Sequence, residues 1–200
     1  MSMPPIMYSC DRCDFKQQQS VKPDRQYYRL DNGLQLPVFR TTGWCFNCNE
    51  VQHIEDLSVS SIQHKIEHLE TTISVLNFWK LLFGKRKIDS ELNDLKDVKD
   101  LLLSRASNAK CLHCGCADII NWGNSQDKDS YCHPGCEGKI KVSMDSEGIR
   151  FHFAQTVTYY SSSGKQTDCL RLNELADDDL QFRRKIEKIN RRIRNSLKES

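Results

Sequence analysis

The sequence predicts an α+β fold: two small cysteine-centred modules bridged by an antiparallel helical hairpin, with a basic amphipathic helix at the C-terminus. Three observations carry that prediction. Cysteines recur as pairs two residues apart in two separate stretches, apolar residues between those stretches repeat at helical spacing, and the last thirty residues combine an isoleucine stripe with a dense run of cations. The implied segments are 1–57, 58–107, 108–166 and 167–200.

Composition supports small modules over one large core. Only 38% of the 200 residues are hydrophobic, while ten are cysteine. Small modules often gain stability from a bound metal in place of buried area. The N-terminus carries no apolar leader, and no run reaches the ~18 apolar residues of a membrane span. The expected location is therefore the cytoplasm, where a reducing environment favours metal ligation by clustered thiols over disulfides.

The first segment holds Cys10-Asp11-Arg12-Cys13 and Cys45-Phe46-Asn47-Cys48. A two-residue spacer turns both thiolates of a tight loop toward one cation, and two such loops complete a tetrahedral zinc site. Cys10, Cys13, Cys45 and Cys48 are thus expected to share one ion. Four thiolates leave no position for water or substrate, which points to structural zinc. Between the pairs, Tyr27 to Leu30 and Leu34 to Phe39 flank Asn32-Gly33, the signature of a β-hairpin with a type I′ turn. Phe15, Tyr28, Phe39 and Trp44 are the candidate core beside the metal.

From about Asp56 the period changes. Ile62, Ile66, Leu69, Ile73, Leu76 and Phe83 form one helical seam, and Ile88, Leu92, Leu95, Val98, Leu102 and Ala106 form a second. Gly84-Lys85-Arg86-Lys87 reads as the turn between two coiled-coil arms. The patch Leu76, Phe78, Trp79, Leu81, Leu82 and Phe83 is wider than such a seam requires, which suits core packing against the second arm or a second subunit, a partner-binding tip or an interfacial membrane contact. His64-Lys65-Ile66-Glu67-His68 matches the H-x-x-E-H arrangement of zinc hydrolases, in which the histidines bind metal and the glutamate activates water. A third ligand would have to come from elsewhere, and on one arm of a hairpin, with Ile66 on the buried seam, the motif reads as a chance match.

The third segment offers more ligands than one site needs. Cys111-Leu112-His113-Cys114-Gly115 has the shape of the earlier pairs, and His133-Pro134-Gly135-Cys136 repeats the spacing with histidine first. Cys111, Cys114, His133 and Cys136 are the chosen set, with Cys132 in place of His133 as the alternative and Cys116 spare. Asp118 to Trp122 and Lys139 to Met144 read as strands. Ile149 to Tyr160 reads as a hairpin partner reached through Asp145 to Gly148, and Ser161 to Gly164 as a loop. These pairs resemble the C-P-x-C-G turns of the zinc ribbon superfamily, found in transcription factors, ribosomal proteins and many bacterial proteins. They depart from that pattern in having Asp14 and Asn49 where glycine follows the second cysteine, and in His133. The resemblance implies two zinc-ribbon modules and two structural Zn²⁺ per chain, without naming a pathway.

In the tail, Phe182, Ile186, Ile189, Ile193 and Leu197 form an apolar stripe. Residues 181–198 hold eight cations against Glu187 alone, a charge of +7 that leaves the rest of the chain at −5. Arg183, Arg184, Lys185, Lys188, Arg191, Arg192 and Arg194 are the candidate contacts to nucleic acid or to a protein partner. The functional expectation is a non-catalytic zinc-binding adaptor associated with nucleic acid. The alternative is an assembly subunit acting through its hairpin and tail helix, either on a protein partner or as a homo-oligomer. A hydrolase built on His64, Glu67 and His68 is a remote third.

Overall fold

A computed structural model describes residues 5–19, 25–75, 78–123, 130–144, 156–171 and 179–199. Within them the chain forms three small sheets and three helices. The sheets join distant segments. The first orders β2 (Lys16–Gln19), β1 (Ile6–Cys10), β9 (Lys139–Met144) and β8 (Ser130–Cys132). The second orders β11 (Gln166–Arg171), β10 (Thr156–Tyr160), β3 (Arg25–Arg29) and β4 (Gln35–Pro37). The third orders β6 (Glu50–Glu55), β5 (Arg40–Cys45) and β7 (Ile119–Asn121). Each sheet thus pairs a strand from the first 57 residues with one from beyond residue 108.

The predicted hairpin is present as β3 and β4, with Tyr28 opposite Leu36. Its turn is not type I′, which needs positive φ at both central residues. Among its described residues only Gly33 has positive φ, at 87°, and Gly33 N–H donates to the Leu30 carbonyl. β9 takes β1 and β8 as neighbours, whereas β10 lies parallel to β3 and antiparallel to β11. The expected β9–β10 hairpin is therefore not formed by the described strands, and its turn, 145–148, with Ile149, Phe151 and Phe153, lies outside the described residues.

Helix α1 (Val59–Val75) starts where Ser58 Oγ accepts the Ser61 amide, a serine N-cap. Helix α2 (Phe78–Ser104) runs without interruption through Gly84-Lys85-Arg86-Lys87. The predicted turn at that tetrad is corrected. One glycine in a helix interior costs only about 1 kcal/mol, and lysine and arginine are good helix formers. Helix α1 ends at Val75 and α2 begins at Phe78; residues 76–77 and the side chains of the aromatic patch from Leu76 to Phe83 lie outside the described residues. Contacts between α1 and α2 run in opposite directions along the two helices: Lys99 Nζ donates to Gln63, and Lys96 pairs with Glu70.

The main core lies between these helices and the second sheet. Ile62, Ile66, Leu95, Val98 and Leu102 bury their side chains against Tyr28, Leu36, Leu112 and Tyr160. A second core gathers Tyr8, Trp44, Val51 and Ile140, with Phe15 and Trp122 at its edge. The four aromatics expected to share one core are therefore divided, Phe15 and Trp44 here, Tyr28 and Phe39 against the helices. Helix α3 (Asp179–Glu199) docks Phe182 and Ile186 onto Val157 and Tyr159 of β10. Its fully buried Asn190 accepts from Gln35 N–H and donates to Gln35 C=O, both at 2.9 Å, and so closes the open edge of β4. No helix among the described residues is long and apolar enough to cross a membrane.

Candidate metal centres

Two groups of four ligand atoms converge, each within 4.8 Å: Cys10, Cys13, His133 and Cys136, and Cys45, Cys48, Cys111 and Cys114. All eight are residues that spacing singled out. Their partnership is the correction. Sequence proximity assigned Cys45 and Cys48 to Cys10 and Cys13, and His133 and Cys136 to Cys111 and Cys114. The strands dictate otherwise. β1 lies antiparallel to β9 with Cys10 opposite Ile140, which sets the first cysteine pair beside His133 and Cys136. β5 lies antiparallel to β7 with Cys45 opposite Ile119, which sets the second pair beside Cys111 and Cys114. Each centre therefore clasps one loop from either half of the chain.

In the first centre Cys10 Sγ lies 3.4 Å from Cys136 Sγ, and His133 Nδ1 lies 3.3 Å from Cys13 Sγ and 3.1 Å from Cys136 Sγ. The loops approach so closely that a Cβ on Gly138 would sit 2.5 Å from Cys10 Sγ and 3.0 Å from Arg12 Cβ, so only glycine fits. Asp11 ties them together: its amide donates to Lys139 C=O, and its carboxylate accepts the Lys139 amide at 2.7 Å. The His133 ring packs between Phe15 and Trp44, with centroids at 5.0 and 4.9 Å. Cys132, the alternative ligand, is exposed and lies outside the converging group.

In the second centre Cys45 Sγ lies 3.5 Å from Cys114 Sγ, and Cys48 Sγ lies 4.0 Å from Cys111 Sγ. Cys45 and Cys111 are buried. Backbone bonds lock this geometry, with Gly115 N–H on Cys111 C=O, Cys111 N–H on Cys116 C=O and Phe46 N–H on Asp118 C=O. The residue after the second ligand takes positive φ in three of the four loops, at Asn49 (54°), Gly115 (74°) and Glu137 (57°). Asn49 thus adopts the backbone that glycine supplies in the usual pattern; asparagine tolerates it better than most residues. Cys116 packs beside this centre, with its sulfur accepting the Asp118 amide.

The thiols differ in proton affinity. Desolvation pushes Cys10 up, but the Arg12 and Cys13 amides and the neighbouring thiols outweigh it and hold its pKa at about 6, below the ordinary 9.0. Cys114 feels the same opposition and settles at about 7. Desolvation prevails elsewhere, lifting Cys111 to about 12, Cys136 to about 11 and Cys48 higher still. Each centre thus includes at least one thiol whose raised pKa favours the protonated form, and binding a cation there displaces protons.

The other candidate residues lie outside both ligand groups. His64 and His68 line a cleft of ≈ 870 Å³ together with Glu91, Arg183 and Glu187 and join no converging ligand group among the described residues, while Glu67 accepts from Gln63 on the same helix. Arg194 is spent inside the fold: its guanidinium reaches Asp94 and Asp97 at 2.6 Å each. Arg183, Arg184, Lys185, Lys188, Arg191 and Arg192 are exposed.

Sequence reasoning missed Glu55 and Arg105, a buried ion pair with contacts at 2.8 and 2.7 Å. It also missed Gln17, whose amide bonds both backbone groups of Val51 at 2.8 Å and joins the first sheet to the third. Lone polar residues far apart in sequence carry no periodic signal. Set against protein-family models, curated proteins and solved structures, the chain matches none.

Proposed function

We propose that the two centres hold structural Zn²⁺ and that the protein is a non-catalytic adaptor whose α3 helix contacts nucleic-acid phosphates. The observation carrying the metal assignment is the spacing of the ligand atoms. Tetrahedral zinc with Zn–S bonds near ~2.3 Å separates its sulfurs by ~3.8 Å, and the sulfur pairs here lie at 3.4, 3.5 and 4.0 Å. Cys₄ and Cys₃His sets are those of closed structural sites, including ribbon-type ones, and leave no position for a substrate. Zinc supplies a fixed charge and a tetrahedral crosslink. The protein's part is to present thiolates and the His133 Nδ1 in a prearranged cage.

The tail's phase supports the partner assignment. At 100° per residue, the buried Phe182, Ile186 and Asn190 mark one face of α3, and Arg184, Lys188 and Arg191 fall on the opposite one. Lys185 and Arg192 flank that row, also exposed. Phe182 and Ile186 of the apolar stripe are used in docking, while the outward row offers fixed positive charge to a polyanion.

Reversing charge at Arg184, Lys188 and Arg191 tests this. Exposed charges contribute about 0–1 kcal/mol each, so the variant should fold and keep both metals. Its binding to duplex or single-stranded nucleic acid should weaken, and the slope of log K against log salt should flatten by about 0.7–0.9 per lost phosphate contact. Unchanged nucleic-acid binding would reject this face and leave the assembly-subunit reading in its place.

A further inference from the structure

We infer that the buried Glu55–Arg105 pair is a positioning device for the second metal centre: it holds the Cys111 loop, which enters from the helical segment, in register with the Cys45–Cys48 loop. The inference rests on the metal reading above and adds residues to it that are not ligands.

Glu55 is the last residue of β6, the strand that leaves the Cys48 loop, and its side chain is fully buried. One carboxylate oxygen accepts from Arg105 at 2.8 Å and from the Tyr28 hydroxyl at 2.9 Å. The other accepts from Arg105 at 2.7 Å and from the backbone amide of Lys110 at 2.9 Å. Lys110 immediately precedes the ligand Cys111. The Glu55 amide returns a bond to Lys110 C=O at 3.0 Å. On the far side of Cys111, Leu112 N–H donates to His53 C=O at 2.9 Å, and Tyr160 Oη donates to Leu112 C=O at 2.8 Å. The ligand is held on both flanks.

Arg105 completes the hold from the other direction. It lies just beyond α2, donates to Asn108 C=O at 3.3 Å and to Ser163 C=O at 3.1 Å, and meets the Ser107 hydroxyl at 2.6 Å. The whole connection from α2 to Cys111 is thereby drawn onto one carboxylate. Gly164, at φ 76°, covers the pair, and a Cβ there would lie 2.6 and 2.7 Å from the Glu55 oxygens. A buried ion pair often contributes no more to stability than apolar residues of similar volume. Its distinctive contribution here is directional, because an apolar substitute cannot hold the Lys110 amide. Outer partners of this kind typically alter metal affinity by about ten- to a hundredfold.

The test uses full-length protein loaded with Co²⁺, whose bands distinguish an S₄ centre from an S₃N centre, followed by chelator competition. Two variants are compared, Glu55→Gln and the apolar combination Tyr28→Phe, Glu55→Leu, Arg105→Met. Both should bind metal at the second centre about ten- to a hundredfold more weakly while the first centre keeps its affinity. Affinity unchanged at both centres would overturn the inference, since the pair would then be only core. Equal weakening of both would overturn it as general destabilisation. Failure of both variants to fold in excess metal would assign the pair to folding and reject a role in ligand placement. A parent protein that takes up no metal would defeat the metal reading itself, and this inference with it.

Discussion

The two metal centres use the same construction, one loop from each half of the chain, yet they sit in unlike surroundings. Cys45 and Cys111 of the second centre are 0% and 1% exposed, and Leu112 beside it belongs to the main core with α1 and α2. The first centre has three half-exposed cysteines, with only His133 buried, and leans on the rings of Phe15 and Trp44. The metal crosslinks proposed above would therefore do different work in each place. The second would hold the helical core to the third sheet, while the first would hold the paired strands β1 and β9.

The largest effect should come from breaking the second centre. Cys45→Ser removes a buried ligand from the junction of core and metal, and metal binding of this kind is coupled directly to folding. The variant should lose cooperative thermal unfolding altogether, as seen by circular dichroism. Cys13→Ser should lose one metal by elemental analysis and free the amides of β1 and β9 to exchange, while the amides of α1 and α2 stay protected. Equal unfolding in both variants would erase the distinction between the centres.

Trp44 sharpens the comparison because it packs on a ligand of the first centre and directly precedes a ligand of the second. It immediately precedes the ligand Cys45, its ring lies on His133 and Phe15 at 4.9 and 5.2 Å, and it is 2% exposed. Trp44→Ala should cost about 3–5 kcal/mol in chemical denaturation, the usual range for emptying a buried aromatic site. Unlike the single-ligand changes, it should weaken metal retention at both centres in chelator competition. Loss confined to one centre would show that the aromatic cluster serves that centre alone.

What could be read in advance follows from the range of each interaction. The x₂ spacing is a local property of a loop, so the ligating cysteines and His133 stood out from the sequence. Which loops meet is decided by β1 against β9 and β5 against β7, pairings across about a hundred residues that no local pattern encodes. The apolar seams of α1, α2 and α3 were legible for the same local reason. The turn expected at Gly84 falls inside α2, because glycine is a weak stop signal when its neighbours favour helix. Glu55 and Arg105 were invisible, since fifty residues separate them and their bond exists only once the core has closed. Arg194 looked like its exposed neighbours until Asp94 and Asp97 of another helix came within reach.

The smallest effect should come from the spare thiols, and it is informative for being small. Cys132 directly precedes His133 but is exposed and lies outside the converging ligand group. Cys116 lies beside the second centre, where its sulfur accepts the Asp118 amide, a role that a serine hydroxyl can also fill. Cys132→Ser and Cys116→Ser should each keep two metals per chain and shift stability by less than about 0.5 kcal/mol, as surface changes usually do. His133→Ala should instead lose the first metal while the second remains. If Cys132→Ser lost a metal and His133→Ala kept both, the first centre would be a four-thiolate site closed through the three-residue spacer, and the two centres would be chemically alike.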